Sequence, residues 1–535
     1  MPGSAHSRCD RRGIISALTH PGTDREVADI AIAEFSLEQI KTGSGASFPG
    51  LEQRPGKVTV SGDRSGQHEV YVGLLPDRVV IASRLEPISQ AAAAAGIQPR
   101  IAPQAVSHIL HDGLVPLPGT VFRSIYRLSV GDTAEVSPGV AGPQIRFTCD
   151  YPWLPRKSRE DQEPDVDRLH ELILASVEQR LARLSGDGLL MMSSGKDSVA
   201  IAVALAELGR SPRCLTFKSG ADDREHVFAA ELCKRLGLEH QTVEMPMDPT
   251  SSAASLIRFF EASPFPTADH AAIAYVQTLA TSGVTEGACI DGGGNDPYMG
   301  YVIEGDSRTK LRYRIRGPRV ATAVKRLVPV DSPLNYLARS AAAALLPGRN
   351  LRHWETARFY ADAVETDGFW YRESREFQGE GLAAGLTVSR LRHTEAGRSH
   401  LKTRLAALAF GLEPVLPFCD AEIADYYFHL PEASRYDRAA GTNKVLLREL
   451  LTDQIDYDPA RVGDGYFRFD GAHFMETHSE FVRNEIRSCE LWGPSVGEMT
   501  DRWLDTMSQR PLLWHALYPV FMLSGWHNHS RFAPA

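Results

Sequence analysis

The chain has 535 residues, 43% of them hydrophobic and 23% charged, and a formal net charge of −9 at pH 7. That length exceeds one ordinary core and implies two or three domains. The acidic balance argues against a nucleic-acid or membrane-surface partner, and no apolar run approaches the roughly 18 residues of a membrane span. Seven cysteines are scattered with no CxxC pair, which fits a reduced, cytoplasmic setting better than a disulfide framework. The first twenty residues lack the apolar core of a secretory signal.

In chain order, residues 1–50 are irregular. Short β-rich runs follow at 58–60, 69–72 and 79–82, split by turn residues such as Gly62-Asp63 and Pro76-Asp77. The alanine run 91–95 reads as part of a surface helix. A helix is expected at 103–112, then strands at 124–128 and 133–136. Residues 1–150 therefore read as a small α+β domain with an antiparallel sheet. A charged, proline-containing linker occupies 151–164.

From 165 the texture alternates. Leu169, Leu172, Ile173, Val177 and Leu181 recur at helical spacing. The apolar run 188–192 reads as a buried parallel strand. Helices at 199–208, 224–236, 255–260 and 272–279 alternate with strands at 213–218, 240–243 and 287–290. This rhythm predicts an α/β fold, a parallel sheet with helices on both faces. The chain beyond about 306 reads as mainly helical.

Two loops carry chemistry. Ser193-Ser194-Gly195-Lys196-Asp197-Ser198 joins a predicted strand to a helix, where backbone N–H groups and the helix dipole favour pyrophosphate. Gly195 permits close approach, and the serines supply hydroxyl donors. Asp197 beside phosphate implies a bridging divalent cation, and Mg²⁺ prefers such oxygen ligands. GxxxxGK[ST] is absent, so this is not a Walker loop. The strand at 287–290 runs into Asp291-Gly-Gly-Gly-Asn-Asp296, which places glycines and a second carboxylate at a strand's carboxyl end. The same residues also read as a tight turn with a helix-capping aspartate.

The first loop resembles the SGGxDS loop of the PP-loop ATP pyrophosphatases, with Ser194 where those families often carry glycine. Both loops together resemble the synthetase domain of the asparagine synthetase and β-lactam synthetase superfamily. Three further segments match in order: Ser263-Pro-Phe-Pro-Thr-Ala-Asp269, Glu413-Pro-Val-Leu-Pro-Phe-Cys-Asp420 against ExRxPFLD, and Gly441-Thr-Asn-Lys444-Val-Leu-Leu-Arg448 against TKxxLR. Val415 stands where the family has arginine. The resemblance implies a synthetase domain over 165–535 of the adenine nucleotide alpha hydrolase type. It implies an ATP- and Mg²⁺-dependent ligase that converts a carboxylate into an acyl-adenylate for attack by an amine.

On that resemblance Ser193, Ser194, Gly195, Lys196, Asp197 and Ser198 cradle the phosphates. Met191 and Ser219 flank the base, and Gly293 belongs to the nucleotide-binding second loop. Asp197 and Asp296 hold the metal. Lys444, on an amphipathic helix, stabilises charge on the α-phosphate and acyl oxygen, and Glu413 deprotonates or orients the amine. Glu225 matches an acidic position read as structural.

Residues 70–136 resemble the back half of the Ntn-type glutaminase domain of such enzymes, with Pro2 where glutamine-dependent members carry their nucleophilic cysteine. A degenerate glutaminase-like domain is the expectation, with the amine coming from ammonia or from the substrate. Where asparagine synthetases carry Glu and β-lactam synthetases Tyr, this chain has Gly293, and lasso-peptide macrolactam synthetases also have a glycine-rich loop there. The expected substrate is thus a small-molecule or peptide carboxylate, with a leader-peptide-binding or protease partner in the lasso-type case. Ammonia-dependent asparagine formation, a different PP-loop enzyme and a non-catalytic ATP-binding regulator are the alternatives. The basic run at 308–319 reads as a solvated face or as a grip for peptide, phosphate or carboxylate.

Overall fold

The computed structural model describes residues 32–42, 49–299, 351–376, 391–458 and 469–534, apart from positions 183, 185, 221, 245–247, 352, 438 and 441. The basic run at 308–319 lies outside the described residues. The chain divides into two compact units: the first reaches to Arg64 and takes in His68–Arg100 and Phe122–Asp150, while the second holds Ser65–Gln67, Ile101–Val121 and everything from Tyr151.

Among the described residues the first unit has eight strands: β1 (Ile32–Ser36), β2 (Leu51–Arg54), β3 (Lys57–Ser61), β4 (Val70–Leu74), β5 (Arg78–Ala82), β6 (Ile125–Leu128), β7 (Asp132–Gly139) and β8 (Gly142–Cys149). They form two antiparallel sheets, ordered β1-β5-β4-β6 and β2-β3-β7-β8. Alternating inward residues of both sheets, among them Phe35, Val58, Val72, Ile81 and Val136, make one core. Helices α1 (Leu37–Thr42) and α2 (Glu86–Ala94) belong to this unit, and α2 contains most of the alanine run.

The second unit takes the helix predicted at 103–112, α3 (Pro103–Asp112). Eight of its ten residues are buried, and it packs on the C-terminal helix. A linear cut at 150 does not describe this exchange of chain. The segment read as a linker is also packed: Tyr151, Trp153 and Leu154 are buried. The Trp153 ring lies 5.6 Å from those of both Tyr298 and Phe428; Tyr151, Trp153 and Leu154 precede the run of charges from Arg156 that gave the segment its polar appearance.

After α4 (Val166–Leu181) comes the alternation that the spacing predicts: β9 (Leu189–Met191), α5 (Lys196–Glu207), β10 (Arg213–Lys218), α6 (Glu225–Leu236), β11 (His240–Glu244), α7 (Pro249–Ala262), α8 (Ala272–Ser282) and β12 (Ala288–Ile290). With β13 (Glu413–Val415) they form a five-stranded sheet ordered β11-β10-β9-β12-β13. Every pairing in it is parallel. Strand order reverses at β9, so the ends of β9 and β12 mark a topological switch point, the place where open α/β sheets bind ligands.

Helices α4, α5 and α6 pack in succession, while α7 and α8 pack against α9 (His400–Ala409). Beyond β13 the described chain is mainly helical and includes α10 (Ala421–Phe428), α11 (Val445–Ile455) and the buried, all-round apolar α12 (Trp514–His529). Tyr518 and Trp526 of α12 donate to the carbonyls of Asp269 (2.7 Å) and Ser263 (3.1 Å), so these two donors are satisfied at depth. Among the described residues no helix is long and apolar enough to cross a membrane.

Candidate active site

The first loop leaves the buried end of β9 at Met191 and enters α5 at Gly195, which no side chain caps. Uncapped N–H groups at a helix start form an anion site. The loop is held by its own side chains. Ser198 Oγ donates to the Ser193 carbonyl (3.0 Å) and accepts from the Ser193 amide (3.1 Å). The Gly195 amide donates to Ser193 Oγ (3.1 Å).

Ser194 departs from the expectation. Its amide and hydroxyl both donate to Glu225 Oε1, the hydroxyl at 2.7 Å, and the residue is wholly buried. Its side chain therefore anchors the loop to α6 and is not a phosphate ligand, which also gives a reason for serine where the PP-loop families often carry glycine. Tyr457 clamps the loop from another direction, donating to the Ser194 carbonyl at 2.9 Å. Glu225, read as structural, is the loop's anchor.

The second loop leaves β12 at Asp291. Its carboxylate accepts from Tyr275 (2.6 Å), Thr403 (2.8 Å) and the Gly293 amide (2.7 Å). Burial raises the pKa of this group, but Lys402 and these donors outweigh it and hold it below the usual carboxylate range. The two loops meet at the switch point. A Cβ on Gly292 would lie 2.8 Å from the Ser198 nitrogen and 3.1 Å from the Asp197 carbonyl carbon. Gly294 has φ +115°, and a Cβ there would meet Cys419 Sγ at 2.7 Å. Glycine is required at both positions by contact with backbone or with a buried neighbour.

The centre of the site is Lys444. Its ammonium donates to Asp197 Oδ1 (2.9 Å) and Oδ2 (2.8 Å) and to Asn295 Oδ1 (2.6 Å), and it lies 2.7 Å from Asp296 Oδ1. Asn295 in turn donates to Asp197 Oδ1 at 2.8 Å. The lysine is 2% exposed. Burial pulls its pKa down, but Asp197 and Asp296 prevail and raise it above the ordinary lysine range; Lys444 in turn lowers Asp296.

Lys444 is not on the face of a helix, as its surroundings in sequence suggest, but is the residue before α11. A short hairpin, β14 (Tyr436–Asp437) with β15 (Thr442–Asn443), delivers it. It adopts φ 56°, ψ 46°, a left-handed conformation unusual for lysine. Its amide donates to the Arg435 carbonyl (2.7 Å), and Arg448 Nε donates to the Asn443 carbonyl (2.8 Å). This local turn aims the side chain inward.

Lys196 opens α5 half-buried, and burial lowers its pKa. Ser219 follows β10, with its amide and hydroxyl both donating to Asp223 Oδ2 at 3.1 Å. Gly293 sits in the second loop. Glu413 is not brought to the cluster. It opens β13, opposite Ala288, with its amide bonded to the Gly287 carbonyl. At about 3.3 Å per residue it lies some 7–10 Å before the carboxyl ends where the loops meet. The sequence reading missed Asn295, although it lies between two residues of a quoted motif; its amide donates to Asp197 and accepts from Lys444, bracing the ion pair that those two make directly.

Three oxygen-bearing side chains, Asp197, Asn295 and Asp296, thus surround one cation position, an oxygen set of the kind that suits Mg²⁺. Among the described residues no group of three or more His, Cys, Asp or Glu side chains forms a complete metal site, so a metal here would draw further ligands from phosphate and water. No curated protein matches the chain. A sequence profile of the family described as asparagine synthase matches residues 168–462, more than half of the chain. The parallel sheet, both loops and the Lys444 cluster fall inside that span, and the chain belongs to the asparagine synthase family, ATP-dependent amide-forming ligases whose members typically use Mg²⁺.

Proposed function

We propose that this ligase activates a carboxylate as an acyl-adenylate, releasing pyrophosphate, and that an amine then displaces AMP. The observation that carries this reading is the convergence of Lys444, Asp197, Asn295 and Asp296 at the switch point of the parallel sheet. The uncapped start of α5, with Ser193, Gly195 and Ser198, receives the phosphates of ATP. Met191 and Ser219, at the ends of adjacent strands, flank the base. Mg²⁺ would be held by Asp197 and Asp296 and would neutralise phosphate charge when bound. Lys444 directs a buried positive charge at the α-phosphate and the acyl oxygen, where charge develops, an effect worth several kcal/mol.

The substrate is a natural-product or peptide carboxylate, in the narrowest form a lasso-type macrolactam precursor. Support comes from the glycine-rich second loop, which offers no side chain at Gly293. The first unit, with its two antiparallel sheets over one core, is consistent with a degenerate glutaminase-type domain.

The test is Mg-ATP/pyrophosphate exchange with L-aspartate, a carboxyethyl amino acid and peptides bearing side-chain carboxylates. Exchange that depends on one of these supports the reading. Exchange with aspartate alone, followed by asparagine release with ammonium, points to ammonia-dependent asparagine formation. ATP binding without exchange on any carboxylate points to a non-catalytic regulator and overturns the reading.

A further inference from the structure

A second titratable group faces the second loop from below. His400 is the first residue of α9 and follows a π-helical stretch, Leu391–Ser399, a local unwinding that is rare and recurs at functional sites. The imidazole is more than nine-tenths buried, yet its Nε2 has no hydrogen-bond partner. An orphaned buried ring nitrogen is destabilising unless something else satisfies it. The nearest acid, Glu395, stands 3.7 Å away, beyond hydrogen-bond reach. The ring edge bearing Nε2 lies under Gly293: a Cβ on that glycine would be 3.5 Å from Cδ2 and 3.8 Å from Nε2. Gly293 puts no side chain over the ring, a Cβ there would also lie 3.2 Å from Asp291 Oδ1, and it is the loop residue whose amide Asp291 holds.

We propose that His400 is the residue that receives the attacking amine, its Nε2 accepting a hydrogen bond from the amine N–H on the side where Gly293 presents no side chain. This rests on the acyl-adenylate reading above and assigns the second half of that reaction. The amine lone pair forms the C–N bond, the bond from the acyl carbon to the phosphate oxygen breaks, and AMP leaves with that electron pair. The nitrogen, strongly acidic once it has attacked, loses its proton to Nε2, and the proton passes on to solvent.

Burial first, and then the cations Arg404 and Lys402, push the imidazole down to about 3, against the opposing pull of Asp291 and Asp296. The ring is therefore neutral at pH 7 and can accept a hydrogen bond. So weak a base does not deprotonate a free ammonium ion; it orients an already neutral amine. That is a task of positioning, for which effective-molarity gains are large.

The experiment separates the two half-reactions. With the carboxylate that supports exchange in the wild-type chain, His400→Ala and His400→Gln keep pyrophosphate exchange within threefold. Amide formation with ammonium as the probe amine falls at least 30-fold in His400→Ala, and added imidazole restores part of it. Parallel loss of exchange, or amide formation within threefold of wild type, overturns the assignment. A second measurement needs no carboxylate. In histidine-labelled protein, the NMR signal missing from His400→Gln reports a neutral ring at pH 7, and an imidazolium there overturns this inference alone. Absence of exchange in the wild-type chain with every carboxylate overturns the adenylation reading itself, and this inference with it.

Discussion

Replacing Lys444 by methionine keeps the length of the side chain and removes its charge. Three acceptors, Asp197, Asn295 and Asp296, then lose a common donor. Removing one partner of a fully buried ion pair costs about 3–5 kcal/mol, while an exposed pair contributes below about 1 kcal/mol. Here the lysine side chain is 2% exposed but the two carboxylates are 30% and 41% exposed. The expected loss is therefore intermediate, about 1–3 kcal/mol, or roughly 1–4 °C for a unit of this size.

The variant also leaves two carboxylates and an amide oxygen around an empty cation position. A divalent ion should then bind in the absence of nucleotide, where in the wild-type chain the ammonium competes for the same oxygens. At about 100 times its Kd such an ion returns about 2.7 kcal/mol. The assay is thermal unfolding in EDTA and with Mg²⁺ or Mn²⁺, with manganese binding followed by EPR. The sign of the pH effect follows from Asp296. Its pKa is depressed in the folded state by Lys444, so its contribution is present above its unfolded value near 4 and is lost as pH falls through the folded value. The gap between wild type and variant should narrow below about pH 4. A variant that melts with the wild type in EDTA, or that gains no more from metal than the wild type does, would refute the reasoning.

Glu225→Ala leaves the buried amide and hydroxyl of Ser194 without their shared acceptor. A loss of about 2–4 kcal/mol in denaturant unfolding is expected, with at least a tenfold rise in KM for Mg-ATP; a change below about 0.5 kcal/mol would show that Glu225 does not anchor the loop. Gly292→Ala places a methyl group 2.8 Å from the Ser198 nitrogen and forces the two loops apart. Circular dichroism should stay that of the wild type while exchange falls on the order of 100-fold. Full exchange would mean that the loops need not meet so closely.

Much of the second unit is legible from local signals. The run Leu189–Met191 between a helical pattern and a glycine-containing loop could only be a buried strand, and it is the middle strand of the sheet. The phosphate loop and the second loop each lie where a strand ends and the chain turns, so their residue types carry their placement. Local pattern failed where burial depends on distant partners. Residues 151–164 look solvated because their charges dominate, yet Trp153 packs on Tyr298 and Phe428. Helix α3 carries no mark in sequence of the unit it joins.

Within the site, sequence alone determined the chemistry available: two carboxylates, a lysine and a glycine-rich turn at strand ends. Only the tertiary structure decided which of these groups meet. It turned Ser194 inward to Glu225, placed Glu413 at the start of its strand, and set Asn295 against both Asp197 and Lys444. It also set His400 under Gly293, 107 positions away in the chain. The physical reason is that side-chain periodicity within a strand or helix specifies a face. Which faces converge is set by strand order, by the left-handed turn at Lys444 and by the close approach that Gly292 permits, none of which is a property of neighbouring residues.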